Sequence, residues 1–276
     1  MRFGLTLPIF DRLADPALLA ELANEAEAAG WDAVFVWDHL RYRSPAHAVT
    51  DPWIAIAAMA SRTDRVLLGP MVTPLARRRP QVVARQLVAL DHLSNGRIVF
   101  GAGLGLDSSG EEFARFGEET DPRRRAEMLD EGLGLLGALL SGDEVDHHGD
   151  HYTAAGVRFL PTPVQQRLPI WVAARWPNRR PLRRAAKYDG AFIIDITPPD
   201  LPAAISAIEA ASVDVGRPAG LGGYDVVVQG VPGADPKPWA AAGATWLLTS
   251  FDPFTVDADE VRAAIAHGPG RSPVTM

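Results

Sequence analysis

Residues 1–39, MRFGLTLPIFDRLADPALLAELANEAEAAGWDAVFVWDH, decide the fold. The apolar run 3–7 reads as a strand, and the segment 16–29 carries the period of a helix. Asp15 is placed to cap that helix, Pro16 suits its first position and Gly30 its stop. Residues 33–37 then form a second apolar run, so strand, helix and strand follow one another within forty residues. This is one β/α unit, and the chain repeats it.

Strands are expected at 66–72, 98–102, 170–173, 191–194, 225–229 and 244–249, which brings the count to eight. Helices are expected from Asp51-Pro52 to about residue 61, over 81–93 after Pro80, and over 123–140. Each later strand is also followed by a stretch compatible with a helix. Strands that read as continuous apolar runs fit a parallel sheet covered on its outer face, and eight such units can close into a (β/α)8 barrel. An open, doubly wound sheet is the alternative from pattern alone. No linker or shift in composition divides the chain, so residues 1–276 are read as one domain.

Composition agrees with that size. The 276 residues are 47% hydrophobic and 22% charged, enough apolar surface for one core. The formal charge of -7 argues against a dedicated nucleic-acid binder. With no cysteine, disulfides, thiolate nucleophiles and cysteine-based metal sites are excluded. Residues 1–10 begin a strand directly, without the pattern of a signal peptide, and no apolar run reaches about 20 residues. A cytoplasmic protein with no membrane association is the expectation.

In a parallel barrel the site lies at the C-terminal ends of the strands, and the loops there are the candidates. Asp38-His39 follows the second strand and pairs a carboxylate with the side chain best suited to moving protons near neutral pH. An aspartate bonding loop backbone beside a surface histidine is the competing reading. Gly101-Ala102-Gly103-Leu104-Gly105 ends the fourth strand, where glycines either admit a planar ligand or shape a turn. Arg175-Trp176-Pro177-Asn178-Arg179-Arg180 opens the helix after strand five and could meet a phosphate, or could form an exposed basic face. Arg77-Arg78-Arg79 could neutralise an anionic cofactor tail or be a solvated run, and the first is preferred. Trp37 and Trp176, near the expected strand tops, could wall an apolar pocket, with core packing as the ordinary alternative. The cluster His147-His148-Gly149-Asp150-His151 has metal-ligand chemistry, but it falls between a helix and the next strand, on the face opposite the loops, so no metal is expected.

Taken together, several segments resemble the luciferase-like monooxygenase superfamily, especially its coenzyme F420-dependent branch. They are 30–39 (GWDAVFVWDH), 69–74 (GPMVTP), 94–98 (SNGRI), 101–105 (GAGLG) and 169–173 (PIWVA), in the family's order. The resemblance implies a (β/α)8 barrel holding a flavin or deazaflavin ring at the strand tops. It implies a bulge in the third strand, near Pro70-Met71, that contacts the ring and often contains a non-prolyl cis peptide. By position, Asp38 would contact the ring, His39 would transfer the proton and Thr73 would bond the ring.

Gly103 would also line the cofactor site, and the phosphate would meet the segment from Ala174 through Arg175, Trp176, Arg179 and Arg180. Leu106 stands where the sugar-oxidising F420 enzymes have a glutamate, and Ser109 where they have an asparagine, which argues against sugar-phosphate oxidation. The implied activity is hydride transfer between F420 and a small organic substrate. The alternatives are oxygenation with reduced FMN and dioxygen, or a non-catalytic flavin-binding barrel. A homodimer, and a flavin or F420 reductase as partner, belong to the same implication.

Overall fold

In a computed structural model, which describes residues 1–106, 112–214 and 222–270, strands and helices alternate as the sequence pattern predicts. The first units are β1 (Arg2–Leu7), α1 (Pro16–Ala28), β2 (Ala33–Val36) and α2 (Pro52–Ala60). The third strand position is split into β3 (Leu67–Pro70) and β4 (Thr73–Pro74), followed by α3 (Pro80–Leu93), β5 (Phe100–Gly103) and α4 (Pro122–Leu140). A hairpin of β6 (Glu144–His148) and β7 (Thr153–Arg158) intervenes. The chain then runs through β8 (Ile170–Arg175), α5 (Arg179–Ala185), β9 (Gly190–Ile194) and α6 (Leu201–Asp214). It ends with β10 (Asp225–Gly230), α7 (Lys237–Ala241), β11 (Trp246–Ser250) and α8 (Ala258–His267).

Aspartates start the helices as the local signals require. Asp15 accepts from Ala17 N at 2.8 Å, Asp51 from Trp53 N and Ile54 N, and Asp121 from Arg123 N. In all three cases a proline occupies the first turn, where its missing N–H costs nothing.

The large sheet is parallel, in the order β3-β2-β1-β11-β10-β9-β8-β5-β4. Its ends meet. Leu68 N donates to Arg97 O and Val99 N donates to Leu68 O, both at 2.9 Å, joining the third strand position to the fourth. Nine strand segments therefore fill eight positions of a barrel, because β3 and β4 are one strand interrupted at Met71-Val72.

The cis peptide falls between Met71 and Val72, one residue later than the expected position. Glycines face this interruption: a Cβ on Gly101 would meet the carbonyl oxygen of Pro70, and one on Gly103 would lie 2.6 Å from Val72 Cγ2. Close backbone approach is thus a packing reason for these two glycines.

Apolar strands bury two faces. Outside, the helices pack on the sheet; inside, Phe35, Met71, Trp171, Phe192, Trp246 and Leu248 belong to a separate buried cluster. Trp171 and Trp246 meet edge to face at 5.3 Å near the strand N-termini. Their indole N–H groups donate to Asp225 at 3.2 and 2.9 Å, and Arg2 pairs with the same carboxylate at 2.7 Å. This closes the barrel floor at the strand N-termini, among the described residues.

The β6-β7 hairpin is not anticipated by the sequence reading. Its strands carry no continuous apolar run, and its histidines pull attention to ligand chemistry. His147 Nε2 instead lies 3.0 Å from Glu131 Oε1 on α4. Among the described residues no group of three or more His, Asp or Glu is arranged to hold a metal, and no helix is long and apolar enough to cross a membrane.

The segment Ser94-Asn95-Gly96-Arg97 acts as a knot at the bottom of the barrel. Asn95 and Gly96 take positive φ, and the buried Arg97 guanidinium donates to the carbonyls of Ser94, Val66, Ala60 and Thr63 and to the Thr63 hydroxyl. Arg97→Met keeps most of the apolar stem and strands these acceptors. Urea unfolding should show a loss of about 3 kcal/mol.

Candidate active site

The second strand ends at Val36, and the next three residues set the site. Asp38 has a fully buried carboxylate. Its Oδ2 accepts from the Thr73 hydroxyl at 2.7 Å and from Trp53 Nε1 at 3.2 Å, while its Oδ1 accepts from Arg77 at 2.8 Å and Arg78 at 2.9 Å. Arg77 also donates to the Asp38 carbonyl at 2.6 Å. Burial pushes this carboxyl up, but Arg78 and Arg77, with the hydrogen bonds, outweigh it and hold Asp38 below its ordinary 3.8. The expectation that the run 77–79 neutralises a cofactor tail is thereby corrected for two of its members. Arg77 and Arg78 serve as counter-charges to Asp38.

Fixing Asp38 presents His39. The imidazole, with 24% of its side-chain surface exposed, has Nδ1 2.9 Å from Glu112 Oε2. Glu112 is buried, and its Oε1 accepts from Leu40 N at 2.8 Å and Arg41 N at 3.4 Å, with Arg77 at 3.8 Å. An ionised carboxylate can only accept, so the Nδ1 proton points at Glu112 and the Nε2 lone pair remains for the cavity. Phe10, Trp37 and Tyr42 surround the ring, with centroids 5.4, 6.0 and 4.9 Å from that of His39.

These groups form one side of a cavity of about 690 Å³ at the strand tops. Met71 and Val72 line it between β3 and β4, and Gly103 and Leu104 line it at the end of β5. Across from them stand Ala173, Ala174 and Arg175 of β8, Ile194 of β9 and Gln229 of β10. The volume is ordinary for a cofactor pocket. Small and flat groups on the wall (Gly103, Ala173, Ala174 and the Met71-Val72 peptide) suit a planar ring, and Arg175 and Asn178 bring a cation and an amide to the mouth.

Of the residues singled out from sequence, His39, Asp38, Met71, Gly103, Ala174 and Arg175 come together on this cavity. Pro70, Thr73, Trp176, Arg179 and Arg180 are not on its wall. Thr73 is buried, with its hydroxyl spent on Asp38. Arg179 is exposed and lies over the Trp176 ring at 5.7 Å, and Arg175 pairs with Asp195. Ser109 lies outside the described residues. Leu106 is at the mouth, 67% exposed.

Glu112 is the residue that sequence reasoning missed. Its only signal is a carboxylate in a long loop after a strand, and the partner it finds lies 73 positions away.

A family model for luciferase-like monooxygenases matches residues 1–270. The chain belongs to this family. Among relatives of the luciferase-like chain, an uncharacterized protein of Mycobacterium tuberculosis is 28% identical over 281 residues, covering 93% of this chain and 94% of that protein. An F420-dependent glucose-6-phosphate dehydrogenase of Amycolatopsis mediterranei is 36% identical over 185 residues, 63% of this chain. The chain spans about half, 51%, of that enzyme's length. Among solved structures, an F420-dependent secondary alcohol dehydrogenase in complex with an F420-acetone adduct superposes with a TM-score of 0.83 over 98% of this chain and 99% of that one, at 17% identity. Family members thus include F420-dependent dehydrogenases, and the luciferase-like barrel matches theirs in fold.

The Asp38 cluster makes a testable contribution to acid stability. Because its folded pKa lies below the unfolded value, the stabilisation is present above about pH 4 and is lost as pH falls through the folded pKa. Asp38→Asn should lower stability near neutral pH by about 3 kcal/mol, since two guanidinium groups lose their counter-charge. It should also flatten the fall in stability below pH 4 in unfolding curves taken across pH.

Proposed function

We propose that this chain is an F420-dependent oxidoreductase that transfers a hydride between the deazaflavin ring and a small organic substrate, with His39 moving the accompanying proton. The observation that carries this reading is the His39-Glu112 pair, which leaves one imidazole nitrogen open on the cavity wall. The 36% identity to an F420-dependent dehydrogenase supports F420 ahead of FMN. The proposal treats residues 1–276 as one catalytic domain of a cytoplasmic homodimer. A flavin or F420 reductase would supply reduced cofactor where the reaction needs it.

The residues present fit a planar ring with an anionic tail. The Met71-Val72 peptide and Gly103 would offer a flat support, while Arg175 and Asn178 on the cavity wall would hold the tail. When bound, a deazaflavin supplies a two-electron hydride acceptor or donor. The protein's own work lies around it. Glu112 keeps the Nδ1 proton of His39 in place, so that Nε2 accepts a proton from a substrate hydroxyl, or returns one in the reverse direction. Met71 and Phe192 close the cavity below, and Trp37 and Tyr42 keep bulk water from its side.

Parallel fluorescence titrations of the purified protein with F420 and FMN test the cofactor. Quenching by F420 at lower concentration is expected, and tighter FMN binding with oxygen uptake on reduction would favour the monooxygenase reading instead. His39→Ala should retain F420 affinity and lower turnover about 10²- to 10⁴-fold. Glu112→Gln should act in the same direction but less, about 10-fold, because the ring keeps its place and loses its charged acceptor. An unchanged rate in His39→Ala removes that residue from the mechanism.

A further inference from the structure

Arg123, Arg124 and Arg125 follow Pro122 at the start of α4, and only the third turns inward. Arg123 and Arg124 are exposed, whereas Arg125 is 6% exposed. Taking a guanidinium out of water is costly, so its contacts must compensate. Both contacts that Arg125 makes there use its cationic head. The guanidinium lies over the Phe113 ring, 4.3 Å from the centroid, and Nη1 donates to the Gly105 carbonyl at 3.4 Å.

Gly105 and Phe113 are in turn wedged together. Gly105 has a φ of +74°, and a Cβ there would lie 2.8 Å from Phe113 Cζ and 2.8 Å from Pro74 Cβ. The Phe113 side chain is fully buried, and its carbonyl accepts from Phe116 N at 3.1 Å and Glu118 N at 3.0 Å. Phe113 is thus fixed through both ring and main chain, and the residue before it is Glu112. Among the described residues, Pro74, Gly105 and Glu112 line the cavity, while Arg125 and Phe113 stand behind its wall.

From this arrangement we infer that Arg125 is a positioning residue for the His39 imidazole. By clamping Phe113 against Gly105 it sets the Glu112 carboxylate at Nδ1, and through it the tautomer that leaves Nε2 open to the cavity. The functional meaning of this role rests on the reading of His39 as the proton carrier. Glu112 then spans two anchors. On one side its carboxylate meets His39 Nδ1 and accepts from Leu40 N and Arg41 N; on the other its main chain continues into the ring that Arg125 covers. A hydrogen bond weakens steeply once its length or angle is lost, so a carboxylate anchored from one side alone is a poorer acceptor. The neutral imidazole has one proton for two nitrogens, and the acceptor at Nδ1 decides which of them carries it.

The test is nitrogen NMR on the full chain labelled at its histidine nitrogens, without cofactor and at a pH where the imidazole is neutral. The His39 signals are those that vanish in His39→Ala. The unsubstituted protein should carry the proton on Nδ1. Arg125→Met keeps most of the apolar stem and loses both contacts of the head, and should move the ratio of the two tautomers about 10-fold toward the Nε2-protonated form. Phe113→Leu removes the same clamp from the other side and should move the ratio in the same direction, which decides the matter where Arg125→Met does not fold. Arg124→Met, at the exposed neighbour, should leave the ratio unchanged. On a Glu112→Gln background, adding Arg125→Met should produce no further shift, because Arg125 acts through Glu112.

An unsubstituted protein with the proton on Nε2 overturns the positioning role, as does an unchanged ratio in the folded Arg125→Met or Phe113→Leu protein. An equal shift in Arg124→Met, or a further shift on the Glu112→Gln background, overturns it as well. A shift confined to the Arg125 and Phe113 variants, together with unchanged turnover in His39→Ala, leaves Arg125 as the positioning residue and removes the proton-transfer reading.

Discussion

A carboxylate without solvent contact is among the most expensive groups a fold can contain, and the upper half of this barrel is arranged around one. Asp38 is tolerated because two guanidinium groups, a hydroxyl and an indole N–H satisfy it from four directions. Those partners come from different elements: Trp53 from α2, Thr73 from β4, Arg77 and Arg78 from the turn that follows it. The ion cluster therefore fixes the end of β2 against the second and third β/α units. Arg77 adds a bond to the Asp38 carbonyl, which pins the main chain as well as the side chain. His39 inherits that rigidity, since it cannot shift without unpairing buried charge next to it.

The interrupted third strand and the glycines of β5 work together in a comparable way. Gly69 has no room for a Cβ beside the Val99 carbonyl, and Gly101 has none beside Pro70. Small residues let the third and fourth strand positions approach where only the Leu68-Ile98 bridge and the short β4 pairing join them. The Met71-Val72 peptide is thereby pressed toward the barrel interior, above Phe35 and Trp171, and forms part of the cavity floor. The glycine alternation is thus a backbone-packing device, and at Gly103 it also forms part of the cavity wall.

Local signals made the barrel readable. Asp-Pro pairs at 15–16 and 51–52, helical periods, and apolar runs of strand length all report on interactions within a few residues, and each produced an element close to where it was expected. The β6-β7 hairpin escaped because β6 is mostly charged or histidine and β7 is built of small residues around one valine, so neither makes an apolar run of strand length. The site was half readable for the same reason. Asp38-His39 announces itself as a dyad at a strand end, whereas Arg77 and Arg78 suggest charges for a cofactor tail until the fold brings them to Asp38, 39 and 40 positions away. Glu112 depends on contacts with residues 39–41, more than seventy positions earlier in the chain, which no pattern within a window of fifteen residues can report. Thr73 stands where the family resemblance implies a ring contact, and its buried hydroxyl is donated to Asp38, a distinction that only burial reveals.

Charge balance explains why the cluster needs Glu112 as well as Asp38. Two guanidinium groups around one carboxylate leave one positive charge without a counter-charge in a region with little water. Glu112 lies 3.8 Å from Arg77 and 2.9 Å from His39, so its single negative charge faces both. It brings the local sum of Asp38, Glu112, Arg77 and Arg78 to neutral and at the same time orients the imidazole. In the proposed reaction a proton at Nε2 would meet a cluster without excess positive charge and a carboxylate aligned with the far side of the ring. The geometry that makes Asp38 tolerable and the geometry that makes His39 useful are in this sense one arrangement, linked through Arg77.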